Sequence, residues 1–299
     1  MNTLTAYYLN LVSSSTLTIV GVVGNLLVIV IMTRKKLIEN PFFRYMIVSA
    51  FFDILNVLFL WISPTYDFLQ INRIDINCKI YVYFSCLVVH LNPWLNVLSC
   101  IDRYLSVKYP TKCAFRKEFK YQFLAISLVS LSIVLVDIPY AIFVKVAKNG
   151  SISSGCTYSS RESSFYLMIL QTLVNLILPC FVMLISIYFI AHELLVMKKK
   201  TTTSKKSFIK EKKIVITLFA INFFFIVTNL PYSLLLMIYY LLNKNFYGTL
   251  AYYIVRIVYK MYSSFAFFVF LASNTLFRDY FISIFSGMRK HSNSSSNQS

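Results

Sequence analysis

Seven long apolar stretches, at about 12–33, 42–65, 78–101, 121–144, 164–197, 214–242 and 249–272, constrain this chain more than any other feature. Each holds roughly 20 residues or more, enough to cross about 30 Å of hydrocarbon as a helix. A bilayer core offers no water to peptide groups, so such a run must satisfy its own backbone, as a helix does. With 58 % hydrophobic and only 13 % charged residues, the composition is far too apolar for an ordinary soluble domain of 299 residues. The fold class that follows is an all-α integral membrane protein, a seven-transmembrane helix bundle over residues 12–272.

Basic residues set the expected orientation. Arg34-Lys35-Lys36, the run Lys108 to Lys120, the run Lys198 to Lys213 and the tail residues Arg278, Arg289 and Lys290 fall on one side of the alternating segments. The positive-inside bias makes that side cytoplasmic, which puts residues 1–11 outside a multi-pass plasma-membrane protein and the C-terminus inside. A net charge of +18 also suits a nucleic-acid partner. These charges hug membrane segments, however, so attraction to anionic lipid is the simpler cause and no nucleic acid is expected. No basic region precedes the first apolar run, so a cleavable signal peptide is not expected. The connection Lys198 to Ser207 reads as a solvated linker, and the Ser- and Asn-rich residues 287–299 as a disordered cytoplasmic tail.

Of six cysteines, Cys86, Cys100 and Cys180 fall within apolar segments and Cys113 on the cytoplasmic side, where thiols stay reduced. Cys78 and Cys156 remain on the outer side. A disulfide between them is expected, the alternative being two free thiols. It would pin the loop after the fourth segment across the mouth of the bundle. Asn149-Gly150-Ser151 in that loop satisfies the glycosylation sequon.

On the third segment Ser85, Asn92, Asn96, Ser99 and Arg103 share one helical face. A polar stripe on a membrane helix should face the bundle interior. Taken singly, each residue could merely join helices. As a stripe that ends in Asp102-Arg103-Tyr104, where the helix meets the cytoplasm, they point to a function.

In these features the chain resembles the rhodopsin-like family of G-protein-coupled receptors. The resemblance rests on Gly24-Asn25, on Asp53, on Cys78 with Asp102-Arg103-Tyr104 through Pro110, on Pro179, on Phe225 with Pro231, and on Phe277-Arg278 through Phe281. It implies an extracellular ligand, a heterotrimeric G protein and arrestin as partners, and a short amphipathic helix on the membrane surface over 273–286. It further implies that Asp102, Arg103 and Tyr104 form the coupling site. Asp102 would restrain Arg103 at rest, until the sixth helix, hinged at Phe225 and Pro231, swings outward. Departures from the family pattern are Asn229 in place of a tryptophan, a fourth segment without tryptophan, and Ala266 to Phe270 where Asn-Pro-x-x-Tyr is usual. Tyr188, the counterpart of a fifth-segment tyrosine, falls one residue late.

A carboxylate in mid-membrane costs about 2.5–3.5 kcal/mol on insertion scales, so Asp53 requires a partner or a proton. The resemblance implies a sodium ion at Asp53, with Asn92 as a further ligand and Asn25 in the same polar core. The alternative is a structural Asp53, protonated or hydrogen-bonded. No other metal or cofactor is expected.

Candidate ligand contacts are Tyr81, Ser85, Arg256 and Lys260. Ser85 stands where amine receptors of the family carry an aspartate, which disfavours a monoamine. Arg256 and Lys260, four residues apart on the outer half of the seventh segment, would favour an anionic group on the ligand. Otherwise they would snorkel outward or neutralise Asp67 or Asp75. Outer-segment tyrosines such as Tyr66, Tyr81, Tyr83, Tyr239 and Tyr240 favour a neuropeptide-like agonist, although an interfacial aromatic belt would use the same residues. Lys260 also aligns with the retinal lysine of opsins. Tyr81 and Gly150 occupy the places of the usual counterions there, so retinal is the rival and not the preferred reading. A transporter or channel is a further alternative, disfavoured by the absence of an internal repeat. His90, His192 and His291 lie far apart in sequence and no nucleophile turn is present, so no enzyme is expected.

Overall fold

The computed structural model describes residues 3–68, 74–109, 118–149, 152–199, 205–242 and 249–284. Cys113, the residues 150 and 151 that complete the sequon, and the tail 287–299 lie outside them. The helices are α1 (Thr3–Met32), α2 (Lys35–Ile38), α3 (Pro41–Phe68), α4 (Asp75–Lys108), α5 (Phe119–Val136) and α6 (Ile138–Phe143). A hairpin, β1 (Val144–Asn149) and β2 (Ile152–Tyr158), then leads to α7 (Arg161–Gln171), α8 (Leu178–Lys199), α9 (Lys205–Leu241), α10 (Leu250–Ser264) and α11 (Ala266–Ser273). Six spans are long and apolar enough to cross a membrane, and α10 with α11 supplies a seventh, bent by 59°. Residues 275–284 form a last helix, α12, whose first turn is capped by Asn274 Oδ1 accepting from the Phe277 backbone N–H at 3.0 Å.

Leu124, Leu128, Leu131 and Leu135 of α5 stand exposed at helical spacing, an apolar stripe suited to lipid. The buried apolar packing includes Ile31, Met32, Phe42, Phe43 and Phe277.

Two spans are less regular than their hydropathy predicts, for definable reasons. Between α7 and α8 the chain takes a π-helical turn over Thr172–Ile177. Pro179, just beyond it, has no N–H to return to the preceding turn, so the ladder loosens there. The indole of Trp94 on α4 donates to the Val174 carbonyl at 3.0 Å and holds the turn.

The seventh span breaks at Phe265 without a proline. Asn25 Nδ2 on α1 donates to the Ser263 carbonyl at 2.8 Å, a carbonyl that the Phe267 N–H would take in an unbroken helix. Close approach makes this contact reachable. A Cβ at Gly24 would lie 3.1 Å from the Phe267 Cβ, and one at Gly21 would lie 2.9 Å from Val57 Cγ1 and 3.2 Å from Ser264 Cα.

The segment after α6, read from the sequence as a loop, is an antiparallel hairpin. Cys78 and Cys156 are joined as a disulfide, with their Cα atoms 5.5 Å apart, which ties β2 to the start of α4. Asp75 adds a second tie by accepting from the Val146 N–H at 2.7 Å. That carboxylate therefore serves the hairpin, and the expectation that it neutralises Arg256 or Lys260 is not supported.

Gly21→Val should lower stability by about 1–3 kcal/mol, because the new methyls meet Val57 and the α10 backbone with no room to turn away. Thermal unfolding of the detergent-solubilised protein checks this, and an unchanged midpoint would mean that α1 does not pack so closely.

Candidate functional site

Arg103, 4 % exposed, lies at the inner end of the buried stripe Asn92, Asn96 and Ser99 on α4. Three elements hold it. Nη2 donates to Asn40 Oδ1 at 2.7 Å and lies 3.7 Å from Asp102 Oδ2, while Nη1 lies 3.5 Å from Glu211 Oε2 on α9. Asn40 also caps α3, accepting from the Phe42 N–H at 3.1 Å. A guanidinium this deep is costly without partners, and here they come from both sides of α4. Tyr104 faces outward from this cluster, its ring 5.6 Å from Phe189 and its hydroxyl accepting from Lys108 Nζ at 2.7 Å.

Midway along the bundle, Asp53 is 3 % exposed and accepts from Asn92 Nδ2 at 2.6 Å and from Ser263. Ser49 donates to the Asn92 oxygen. Beside them is a cavity of about 20 Å³, lined among others by Asn25, Ser49, Asp53, Asn96 and Tyr262, with room for one water-sized occupant. Among the described residues, the buried Asn25 Oδ1 has no hydrogen-bond partner.

At the disulfide end a second cavity, of about 220 Å³, lies beneath the hairpin. Tyr81 and Ser85 line it, as do Tyr140, Tyr158, Tyr232, Tyr240 and Tyr259. Arg256 and Lys260 do not. Arg256 packs over the Tyr252 ring at 5.8 Å, and Lys260, 2 % exposed, turns toward α1, where it donates to Asn10 Oδ1 at 3.2 Å and to Ser14 Oγ. Helical spacing put the two cations on one face, yet packing directs them away from this space.

A family model described as 7 transmembrane receptor (rhodopsin family) matches residues 24–274. The chain belongs to that family. It is also 24 % identical over 233 residues to the C-X-C chemokine receptor type 2 of Macaca mulatta, an alignment that covers 73 % of this chain and 60 % of that receptor's length.

In this rhodopsin-family receptor, the positions that depart from the family pattern make contacts of their own. Asn229 donates to the Phe225 carbonyl at 2.9 Å and approaches the Asn175 amide of the π turn at 3.5 Å. Tyr262 packs edge-on against Phe225 at 5.1 Å and accepts from Asn96 at 2.7 Å. Pro231 lies inside the continuous α9.

Sequence reasoning missed Glu211, Asn40 and a buried triad. The signal for Glu211 was the one acid inside a basic run at the start of the sixth segment. In the triad, His90 and Asp137 are both fully buried, with Nδ1 2.7 Å from Asp137 Oδ1 and Nε2 2.8 Å from Gln171 Oε1.

His90→Leu leaves the Asp137 carboxylate buried and unpaired and should cost about 3–5 kcal/mol. Adding Asp137→Leu should restore part of that loss. Thermal unfolding of the two single variants and the double variant checks this, and strictly additive losses would deny the pair.

Proposed function

We propose that this G-protein-coupled receptor binds an extracellular, neuropeptide-like agonist in the cavity under the hairpin and activates a heterotrimeric G protein through Asp102, Arg103 and Tyr104. The observation that carries the reading is the buried Arg103, shared between Asp102, Asn40 and Glu211. Outward movement of α9 withdraws Glu211, and the guanidinium is then left to seek a new partner at that face. Phe225 and Pro231 are the natural hinge, since Pro231 supplies no N–H to its helix. In this reading the Arg103 end is cytoplasmic, the N-terminus is outside at the plasma membrane, α12 lies along the membrane surface, and arrestin competes for the opened face.

A diffusible ligand is favoured over retinal because Lys260 is engaged by Asn10 and Ser14 and does not line the aromatic cavity. Similarity to a receptor named for a chemokine supports the same choice. The donor set beside Asp53 suits a sodium ion, which the Asp53 carboxylate, Asn25 Oδ1 and Ser49 would hold. The unpartnered Asn25 oxygen supports this fit. A bound cation would neutralise Asp53 and brace α1, α3 and α4 against the inward half of α10.

Arg103→Ala should abolish nucleotide exchange driven by an agonist selected from peptide and lipid libraries, while agonist binding persists. Loss of binding instead would overturn the division of roles. Glu211→Gln should raise basal exchange about fivefold, the shift that about 1 kcal/mol supplies. Unchanged basal exchange at equal expression would remove Glu211 from the restraint. Sodium, but not N-methylglucamine, should raise the unfolding temperature of the wild type and leave Asp53→Asn unmoved; equal responses would exclude the ion.

A further inference from the structure

None of the residues lining the outer cavity is Asp, Glu, Lys, Arg or His. Its walls are largely aromatic, with Tyr232 and Tyr259 at 4.6 Å between ring centroids, and Phe165 stacked on the lining residue Tyr240 at 4.3 Å. Such walls suit an apolar or aromatic group, and an ion held deep among them would lose its water for little return. At about 220 Å³ the cavity is also smaller than the roughly 300–1,000 Å³ of sites that enclose a whole drug-sized ligand, so a larger ligand extends past its edge. A charge on the ligand therefore finds its partner at that edge.

Arg161, the first residue of α7, stands there. Ser164, Met168 and Gln171 line the cavity from α7, and Arg161 precedes Ser164 by three residues, which extends the same helical face one turn outward. Its guanidinium lies over the ring of the lining residue Tyr240, 5.4 Å from the centroid. Arg161 is exposed, and among the described residues it forms no hydrogen bond and no salt bridge. The adjacent Glu162 carboxylate is occupied at the helix start by its own backbone N–H and by Ser160. A cation at the first residue of a helix stands against the helix dipole, so support of α7 does not explain the placement of Arg161.

Lys145, also exposed, reaches the same junction from β1, where its Nζ donates to the Ser159 carbonyl at 3.0 Å, next in sequence to the lining residue Tyr158. Asp75 is taken up by the Val146 N–H, and Arg256 is directed to Tyr252, with Nη1 3.3 Å from the hydroxyl. The edge of the cavity is thus cationic where α7 meets the hairpin.

We infer that the ligand of this cavity carries an anionic group next to an aromatic segment: the segment fills the tyrosine-lined space, and the anion pairs with Arg161 at its edge, with Lys145 adding to the positive field. In a peptide agonist the anion is a carboxylate, of the C-terminus or of an acidic side chain. This inference rests on the reading of the cavity as the agonist site and supplies the charge class that reading lacks.

The test uses the full receptor in nanodiscs of uncharged phosphatidylcholine and saturation-transfer NMR. N-acetyl-L-phenylalanine carries a C-terminal carboxylate and N-acetyl-L-aspartyl-L-phenylalaninamide a side-chain one; N-acetyl-L-phenylalaninamide and N-acetyl-L-asparaginyl-L-phenylalaninamide are their uncharged counterparts. At least one acid should bind about fivefold more tightly than its counterpart, and the acid that does so identifies the source of the carboxylate. Arg161→Gln should remove that preference without weakening the uncharged probe, Arg161→Lys should keep part of it, and Arg256→Gln should leave it intact. No binding, no preference for either acid, a preference that survives Arg161→Gln, or one lost equally in Arg256→Gln overturns the inference. Basal exchange by Glu211→Gln needs no ligand, so a failure of the charge class is distinguishable from a failure of the receptor reading.

Discussion

Two irregularities of this bundle answer to the need of a peptide group for a hydrogen-bond partner where no water is available. Regular helices meet that need by themselves. Where the chain departs from them, a side chain intervenes: Asn25 takes the Ser263 carbonyl at the break of the seventh span, and Trp94 takes the Val174 carbonyl at the π turn. Asn229 adds a donor to the Phe225 carbonyl one turn before Pro231. The break of the seventh span and the π turn are therefore each held by a specific polar contact, and at the break Asn25 also lines the cavity beside Asp53. Gly21 and Gly24 belong to the same arrangement, since only their small size brings Asn25 close enough to act.

Between the tyrosine-lined cavity and Arg103 lie two groups of buried polar contacts. Asn56 and Asp53 meet at Ser263, Asp53 meets Asn92, and Asn96 meets Tyr262, whose ring packs on Phe225. The family's usual tryptophan and Asn-Pro-x-x-Tyr are absent, yet an aromatic ring still stands against Phe225 and the seventh span still bends. In this chain Tyr262 fills the space beside Phe225 on α9, and Asn25 takes a freed carbonyl of α10.

Much of the fold was legible in the sequence. Run length against bilayer thickness is a one-dimensional test, and it located all the spans, including the seventh despite its bend, although the third runs on to Lys108, seven residues past its expected end. The Cys78 to Cys156 bond was also legible, because topology left those two cysteines together on one side. The hairpin was not, since Val144 to Tyr158 has a mixed polar pattern and becomes a strand pair only once Cys156 and Asp75 anchor it to α4. Glu211 was hidden for a related reason. A basic run read as total charge looks like a solvated linker, and nothing local points from its lone acid to Arg103.

Lys260 and Arg256 mark where sequence reading ends. Their spacing fixed their angle relative to each other on one helix, because each residue advances the helix by a constant rotation. It could not fix the rotation of that helix against its neighbours, which depends on how α1, α3 and α10 pack. The sequence by itself therefore determined a membrane bundle of the rhodopsin type and the inner motif built on Arg103. The tertiary structure alone decided that Lys260 turns to Asn10 and Ser14 on α1 and that neither cation is among the described residues lining the outer cavity. Contact between helices is set by shape and by the pairing of buried polar groups across the whole bundle, and no single segment contains that information.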